Sequence, residues 1–196
     1  MTRLIAFDLE GILVEEEFLV ELAKATGKEE EVHKITEDGL NGSIEWEIGL
    51  KKRIGILKGL DYETVKRIAT QFTLIDGVKE LIQKLKEKSF KIAIITGGFK
   101  IFTEEVVKEL EIDYFIANEF VFNDGKLKNC KINVNKNKDY WLKKFAKDCK
   151  AEFVIAIGDG ENDIDMLKSA DCGVFIKGKN LHIFKDVIKN IVEDYA

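Results

Sequence analysis

Leu4-Ile5-Ala6-Phe7-Asp8-Leu9-Glu10-Gly11 carries the reading that decides the fold: a short apolar run, Leu4 to Leu9, stops at acidic residues and a glycine. That pattern predicts a buried strand whose carboxyl end bears polar groups. Two later stretches repeat it. Phe90 to Ile95 runs into Thr96-Gly97-Gly98, and Phe153 to Ile157 runs into Gly158-Asp159-Gly160. Helical stretches lie between them, because Val78, Leu81, Ile82 and Leu85 fall at i, i+3, i+4, i+7, as do Leu142, Phe145, Ala146 and Cys149. Strands alternating with helices predict an α/β fold, a parallel sheet covered on both faces. Ligands of such sheets bind beyond the carboxyl ends of the strands, where the three polar ends converge.

Two stretches interrupt the alternation. From about Glu15 to Phe72 the pattern is of consecutive helices, with Val65, Ile68, Ala69 and Phe72 on one stripe, which predicts a helical insertion roofing the site. Ile112 to Lys128 holds a strand-like run and then Asn123-Asp124-Gly125, a hairpin turn signal. A chain of 196 residues buries about 70% of the surface its unfolded form exposes, enough for one core and a small insertion. With 45% apolar and 34% charged residues it suits a globular protein, and its net charge of −5 offers no electrostatic footprint for nucleic acid.

Nine lysines between Lys126 and Lys150 face two acids, Asp139 and Asp148, a run that reads mainly as a solvated face. Three separated cysteines, Cys130, Cys149 and Cys172, give neither a disulfide framework nor zinc spacing, and fit a reducing cytoplasm. No signal peptide or membrane span is expected, and His33 and His182 stand on unrelated segments without partner ligands. Proline is absent.

The three strand ends supply Asp8 and Glu10, then Thr96 with two glycines, then Asp159, Asn162 and Asp163. Carboxylates gathered at one spot repel unless a cation sits among them, and hard oxygen ligands suit Mg²⁺, which commonly bridges to a phosphate. A hydroxyl residue followed by Gly97-Gly98 at a helix start offers backbone N–H groups to an anion. Phosphate is the expected guest.

Asp8-Leu9-Glu10-Gly11-Ile12-Leu13-Val14, Thr96-Gly97-Gly98 and Gly158-Asp159-Gly160-Glu161-Asn162-Asp163 resemble motifs one, two and four of the haloacid dehalogenase superfamily. Within it the chain resembles the phosphoserine phosphatases over nearly its whole length. The resemblance implies a three-layer Rossmann-like core, residues 1–14 and 73–196, with a helical cap, 15–72, inserted after the first strand. It implies a Mg²⁺-dependent phosphomonoester hydrolase in which Asp8 is the nucleophile and becomes an aspartyl phosphate. Asp8, the Glu10 carbonyl and Asp159 would hold Mg²⁺, while Thr96, the Gly97 amide, Lys138 and Asn162 would grip the phosphoryl group. Lys138 is taken because Lys138-Asp139-Tyr140-Trp141 follows the family's third-motif helix without a gap; Lys136 is the fallback. Asp163 would support the metal's waters or orient the lysine.

Glu17 and Arg53 match the family's phosphoserine contacts, a carboxylate for the ammonium and a guanidinium for the carboxylate, with Leu40 and Trp46 closing over the substrate. The implied partner is a small phosphorylated metabolite, and the implied state a cytoplasmic monomer or homodimer. One departure matters. The family places aspartate two residues after the nucleophile as acid and base, whereas this chain has Glu10. The bifunctional phosphoserine phosphatase and homoserine phosphotransferase branch also carries Asp-Leu-Glu-Gly, so transfer to an alcohol is an alternative. A catalytically weak phospho-ligand sensor with the same fold is another.

Overall fold

The computed structural model describes residues 2–176, apart from the Leu40 side chain. His182 and the Leu40 side chain therefore lie outside the described residues. Among the described residues six strands form one sheet in the order β4-β3-β2-β1-β5-β6: β1 is Arg3–Phe7, β2 Phe90–Phe99, β3 Tyr114–Asn123, β4 Lys126–Lys131, β5 Phe153–Gly158 and β6 Cys172–Phe175. All neighbours are parallel except β3 and β4, which are antiparallel. The expected parallel sheet thus gains a reversed edge strand. The cause is the Asn123-Asp124-Gly125 turn, in which Asp124 (φ 49°) and Gly125 (φ 73°) both take the left-handed conformation that a tight hairpin demands.

Strand β1 is apolar throughout because both of its faces are covered. Ile5 and Phe7 join one core cluster with α5 (Val78–Glu87) and α6 (Lys100–Leu110), while Leu4 and Ala6 join another with α7 (Lys138–Cys149) and α8 (Ile164–Ser169). The helical stripes of α5 and α7 lie where the spacing predicts: Val78, Leu81, Ile82 and Leu85 are buried, as are Leu142 and Phe145.

Between β1 and α5 come four helices, α1 (Phe18–Lys24), α2 (Glu29–Leu40), α3 (Trp46–Leu57) and α4 (Tyr62–Ala69). They are fastened to the core in two ways. Phe18 stacks on Phe102 of α6 with ring centroids 4.7 Å apart and leans on Phe120 of β3 at 6.2 Å. The α3–α4 connection is bonded to the β3–β4 hairpin, with Gly59 N–H donating to Leu127 O (2.9 Å), Leu127 N–H to Leu60 O (2.8 Å) and Tyr62 N–H to Gly125 O (2.8 Å).

Candidate active site

Register brings the three strand ends together. Phe7 pairs with Ile94 on one side and Ile157 on the other, so Asp8, the Thr96-Gly97-Gly98 stretch of β2 and Asp159 follow these paired residues side by side. Asp8 N–H still donates to Ile157 O at 2.9 Å, which fixes where its side chain starts. Asp8 Oδ1 accepts from Leu9 N–H (2.8 Å) and lies 3.1 Å from Lys138 Nζ. Lys138, the first residue of α7, is wholly buried and also meets Asp163 Oδ1 at 2.5 Å. The other Asp163 oxygen accepts from Asp159 N–H (3.1 Å) and Gly160 N–H (2.9 Å). Asp163 thus touches the lysine and also stands beside Asp159, next to both of the groups it was expected to serve. Lys136, the fallback, lines a neighbouring hollow with Glu45, Glu161 and Asp165 instead.

A cleft with a void of about 570 Å³, its open mouth included, lies above this floor. Asp8, Glu10, Thr96, Gly97, Asp159 and Asn162 line it from the sheet side, and Glu17, Trp46 and Arg53 from the helices. Gly98, expected beside Gly97, lines it too, as do Leu19, Thr36, Gly39, Leu50 and Phe99, which sequence reasoning missed. Helical periodicity explains Leu19 and Leu50 as core residues equally well. Only the folded roof separates the two readings.

The roof residues are held from behind. Arg53 donates through Nη1 to Thr36 Oγ1 (3.0 Å), and Thr36 in turn donates to Val32 O (2.9 Å). Burial lowers the Arg53 guanidinium from its ordinary value, and Glu10 and Glu17 counter that by favouring its charge. Glu10 Oε1 accepts from Phe18 N–H at 2.9 Å, which ties the carboxyl group to the start of α1. A Cβ on Gly97 would come within 2.8 Å of Trp46 Cζ2, so the indole rests directly on that glycine.

One expectation is corrected here. Thr96-Gly97-Gly98 does not open a helix, because β2 runs on to Phe99 and α6 begins at Lys100. The backbone groups offered to an anion come from an irregular strand end. Ile95 pairs with Ile116 and Phe99 with Asn118, so three residues of β2 oppose Ala117 alone.

The donor set fits a divalent cation. Carboxylate oxygens of Asp8, Asp159 and Asp163 lie within 4.8 Å of one another. Burial and the neighbouring Asp163 push Asp8 up to about 6, against the pull of Lys138 and Leu9 N–H. Burial, then Asp8 and Asp163, push Asp159 up to about 8. Burial, then Glu17, push Glu10 up to about 8. One lysine does not balance this charge, and hard oxygens with charge to spare suit a small divalent metal ion. Burial works against the charge on Lys138, yet Asp163 and Asp8 together raise it above its ordinary value. Among the described residues no helix is long and apolar enough to cross a membrane.

Known proteins resemble this chain in sequence and fold. The model of the haloacid dehalogenase-like hydrolases matches residues 2–171. A phosphoserine phosphatase of Methanocaldococcus jannaschii is 36% identical over 173 residues, covering 86% of this chain and 82% of that protein. One of Archaeoglobus fulgidus is 37% identical over 94% of this chain, which spans 55% of that relative's length. Among solved structures, a phospho-aspartyl intermediate analogue of phosphoserine phosphatase superposes with a TM-score of 0.85 at 35% identity, over 94% of this chain and 90% of that one. A substrate-bound phosphoserine phosphatase complex gives 0.87 at 32% identity, over 95% and 98%. The family model covers most of the chain and the overall fold agrees with these matches, so the chain belongs to the haloacid dehalogenase-like hydrolase family.

Proposed function

We propose that this protein is a Mg²⁺-dependent phosphomonoester hydrolase that works through an aspartyl phosphate on Asp8, and that its substrate is phosphoserine. The observation that carries the reading is a single cleft with Asp8 and its acidic neighbours at the floor and Glu17 and Arg53 in the roof. A phosphoryl group on the floor would leave the two charged ends of an amino acid facing opposite charges. The likeness to a phospho-aspartyl intermediate analogue and to a substrate-bound phosphoserine phosphatase supports both halves of the proposal. We take residues 15–72 as the cap that closes the site.

In this mechanism a carboxylate oxygen of Asp8 forms a bond to phosphorus as the ester P–O bond breaks. The departing serine oxygen takes a proton from Glu10, whose hold on that proton is strengthened by burial and by the neighbouring Glu17. Water then attacks the aspartyl phosphate, Glu10 recovers the proton, and orthophosphate leaves with Asp8 restored. Thr96 and Gly97 hold phosphoryl oxygens, Asn162 holds them from the opposite side, and Lys138 keeps Asp8 in place while adding positive charge. Asp8, the Glu10 carbonyl and Asp159 would hold Mg²⁺, which supplies charge neutralisation for the transferring group. Asp163 positions Lys138 and the Asp159 loop. Trp46 covers the phosphoryl site, and Leu40 stays in the proposed substrate contacts.

Transfer to an alcohol acceptor is the second reading, favoured by Glu10 standing where the family has aspartate. Phosphate release from a panel of small phosphomonoesters, with and without Mg²⁺ and with and without homoserine, separates the readings. Mg²⁺-dependent release fastest from phosphoserine, abolished by Asp8→Asn, is expected. Phosphohomoserine as main product would favour transfer, and phosphoserine binding without turnover would favour a sensor.

A further inference from the structure

Asn118 is a buried amide that the mechanism above does not use. It stands on β3 with none of its surface exposed, and the two ends of its side chain grip two different backbone segments. Nδ2 donates to the Gly97 carbonyl at 2.8 Å. Oδ1 accepts from the N–H groups of Asn133 (2.8 Å) and Val134 (2.9 Å). The first bond has a cause in the sheet. The register shift between Ile95 and Phe99 takes Gly97 out of the regular ladder, and a buried carbonyl left without a partner is destabilising. The Asn118 amide takes the place of the missing strand partner.

Anchoring that carbonyl has a consequence one peptide further on. A trans peptide points its C=O and N–H in opposite directions, so holding Gly97 O also aims Gly98 N–H. Gly98 N–H donates to Thr96 Oγ1 at 2.9 Å. With its oxygen accepting there, the Thr96 hydroxyl has its proton left to give toward the cleft it lines. The other end of Asn118 fixes the segment that leads to Lys138. Asn133 O accepts from Trp141 Nε1 (3.1 Å) and Asn137 Nδ2 (3.4 Å), so this segment is tied to the first turn of α7.

We infer that Asn118 is a positioning residue that holds the Thr96 hydroxyl and the segment leading to Lys138 at a fixed spacing, and so controls phosphoryl binding without touching the phosphoryl group. The inference rests on the proposed role of Thr96 as a phosphoryl ligand. It is independent of which ester is the substrate.

The test is a double-mutant cycle with p-nitrophenyl phosphate and Mg²⁺, an ester that lacks the amino-acid ends. Asn118→Asp keeps the size of the side chain and replaces the donor to Gly97 with an anionic oxygen. The expected loss in kcat/KM is about 10²-fold in the wild-type background. In a Thr96→Val background, where no hydroxyl remains to be aimed, the same change is expected to cost less than ~3-fold. A purely structural role gives equal losses in both backgrounds and overturns the inference, as does a loss below ~3-fold in the first. If Asn118→Asp does not fold, Asn118→Ser replaces it; because serine also releases the Asn133–Val134 segment, its loss in the Thr96→Val background is expected to be smaller than in the wild-type background, and equal losses overturn the inference. Where turnover is too slow to measure, orthophosphate affinity by calorimetry supplies the same cycle. Turnover of p-nitrophenyl phosphate without turnover of phosphoserine would remove the substrate assignment alone, leaving the cycle to decide on Asn118.

Discussion

Glu10 and Lys138 show how single residues set the chemistry of this floor. Lys138 is buried between Asp8 and Asp163, and removing one partner from such a group costs about 3–5 kcal/mol, so its charge supports the fold as well as the proposed chemistry. Glu10 is placed with similar care. Its carboxyl group is bonded to Phe18 N–H and lies close against Gly98, where an added Cβ would meet it at 3.5 Å. Glu10→Asp withdraws the carboxyl from Phe18, and a displacement of order 1 Å can cost about 10²-fold. Steady-state kinetics on phosphoserine are expected to show kcat falling at least ~10-fold. A rise would mean that glutamate impairs hydrolysis in this chain. The acids themselves were legible in the sequence, because Asp8, Glu10 and Asp159 each end an apolar run. Asn118 was not, since one more asparagine on a strand acquires meaning only when the register puts it opposite Phe99.

At the scale of elements, alternation and helical spacing located the β-strands and α-helices that position the site, and turn chemistry located the β3–β4 hairpin. What periodicity does not carry is how a strand ends. Phe90 to Ile95 is the apolar run, but β2 continues through Thr96-Gly97-Gly98 to Phe99, because glycine and threonine break the pattern while the backbone stays extended. The irregular end of β2 and the first residue of α3 meet where Trp46 lies on Gly97. Gly97→Ala would force its methyl against the indole at 2.8 Å. Phosphate-release kinetics are expected to show a loss of about 10²-fold, largely regained when Trp46→Ala opens the space. No recovery in the double variant would mean that the glycine serves the backbone alone.

For the whole molecule, proton and metal binding are linked to stability. Asp8, Glu10 and Asp159 hold protons more tightly in the folded metal-free protein than unfolded, their values rising to about 6, 8 and 8 from ordinary values of 3.8, 4.5 and 3.8. Between about pH 4 and pH 8 the folded state therefore carries the extra protons, and its stability falls as pH rises through that window. A divalent cation held by the Asp8 and Asp159 carboxylates would replace the protons on those two groups. The Tm gain from Mg²⁺, read by calorimetry, is expected to be small at pH 5 and largest near pH 8, whereas a pH-independent gain would place the ion elsewhere. The same floor, assembled from three strand ends under a roof bonded to the hairpin, makes one claim above the others: Asp8 carries the phosphoryl group during turnover. Acid quenching of a single turnover with ³²P-labelled phosphoserine, followed by peptide mapping, tests it directly. Label on the peptide containing Asp8, absent from Asp8→Asn, is the expected result; turnover that leaves the protein unlabelled, or label on another residue, would contradict it.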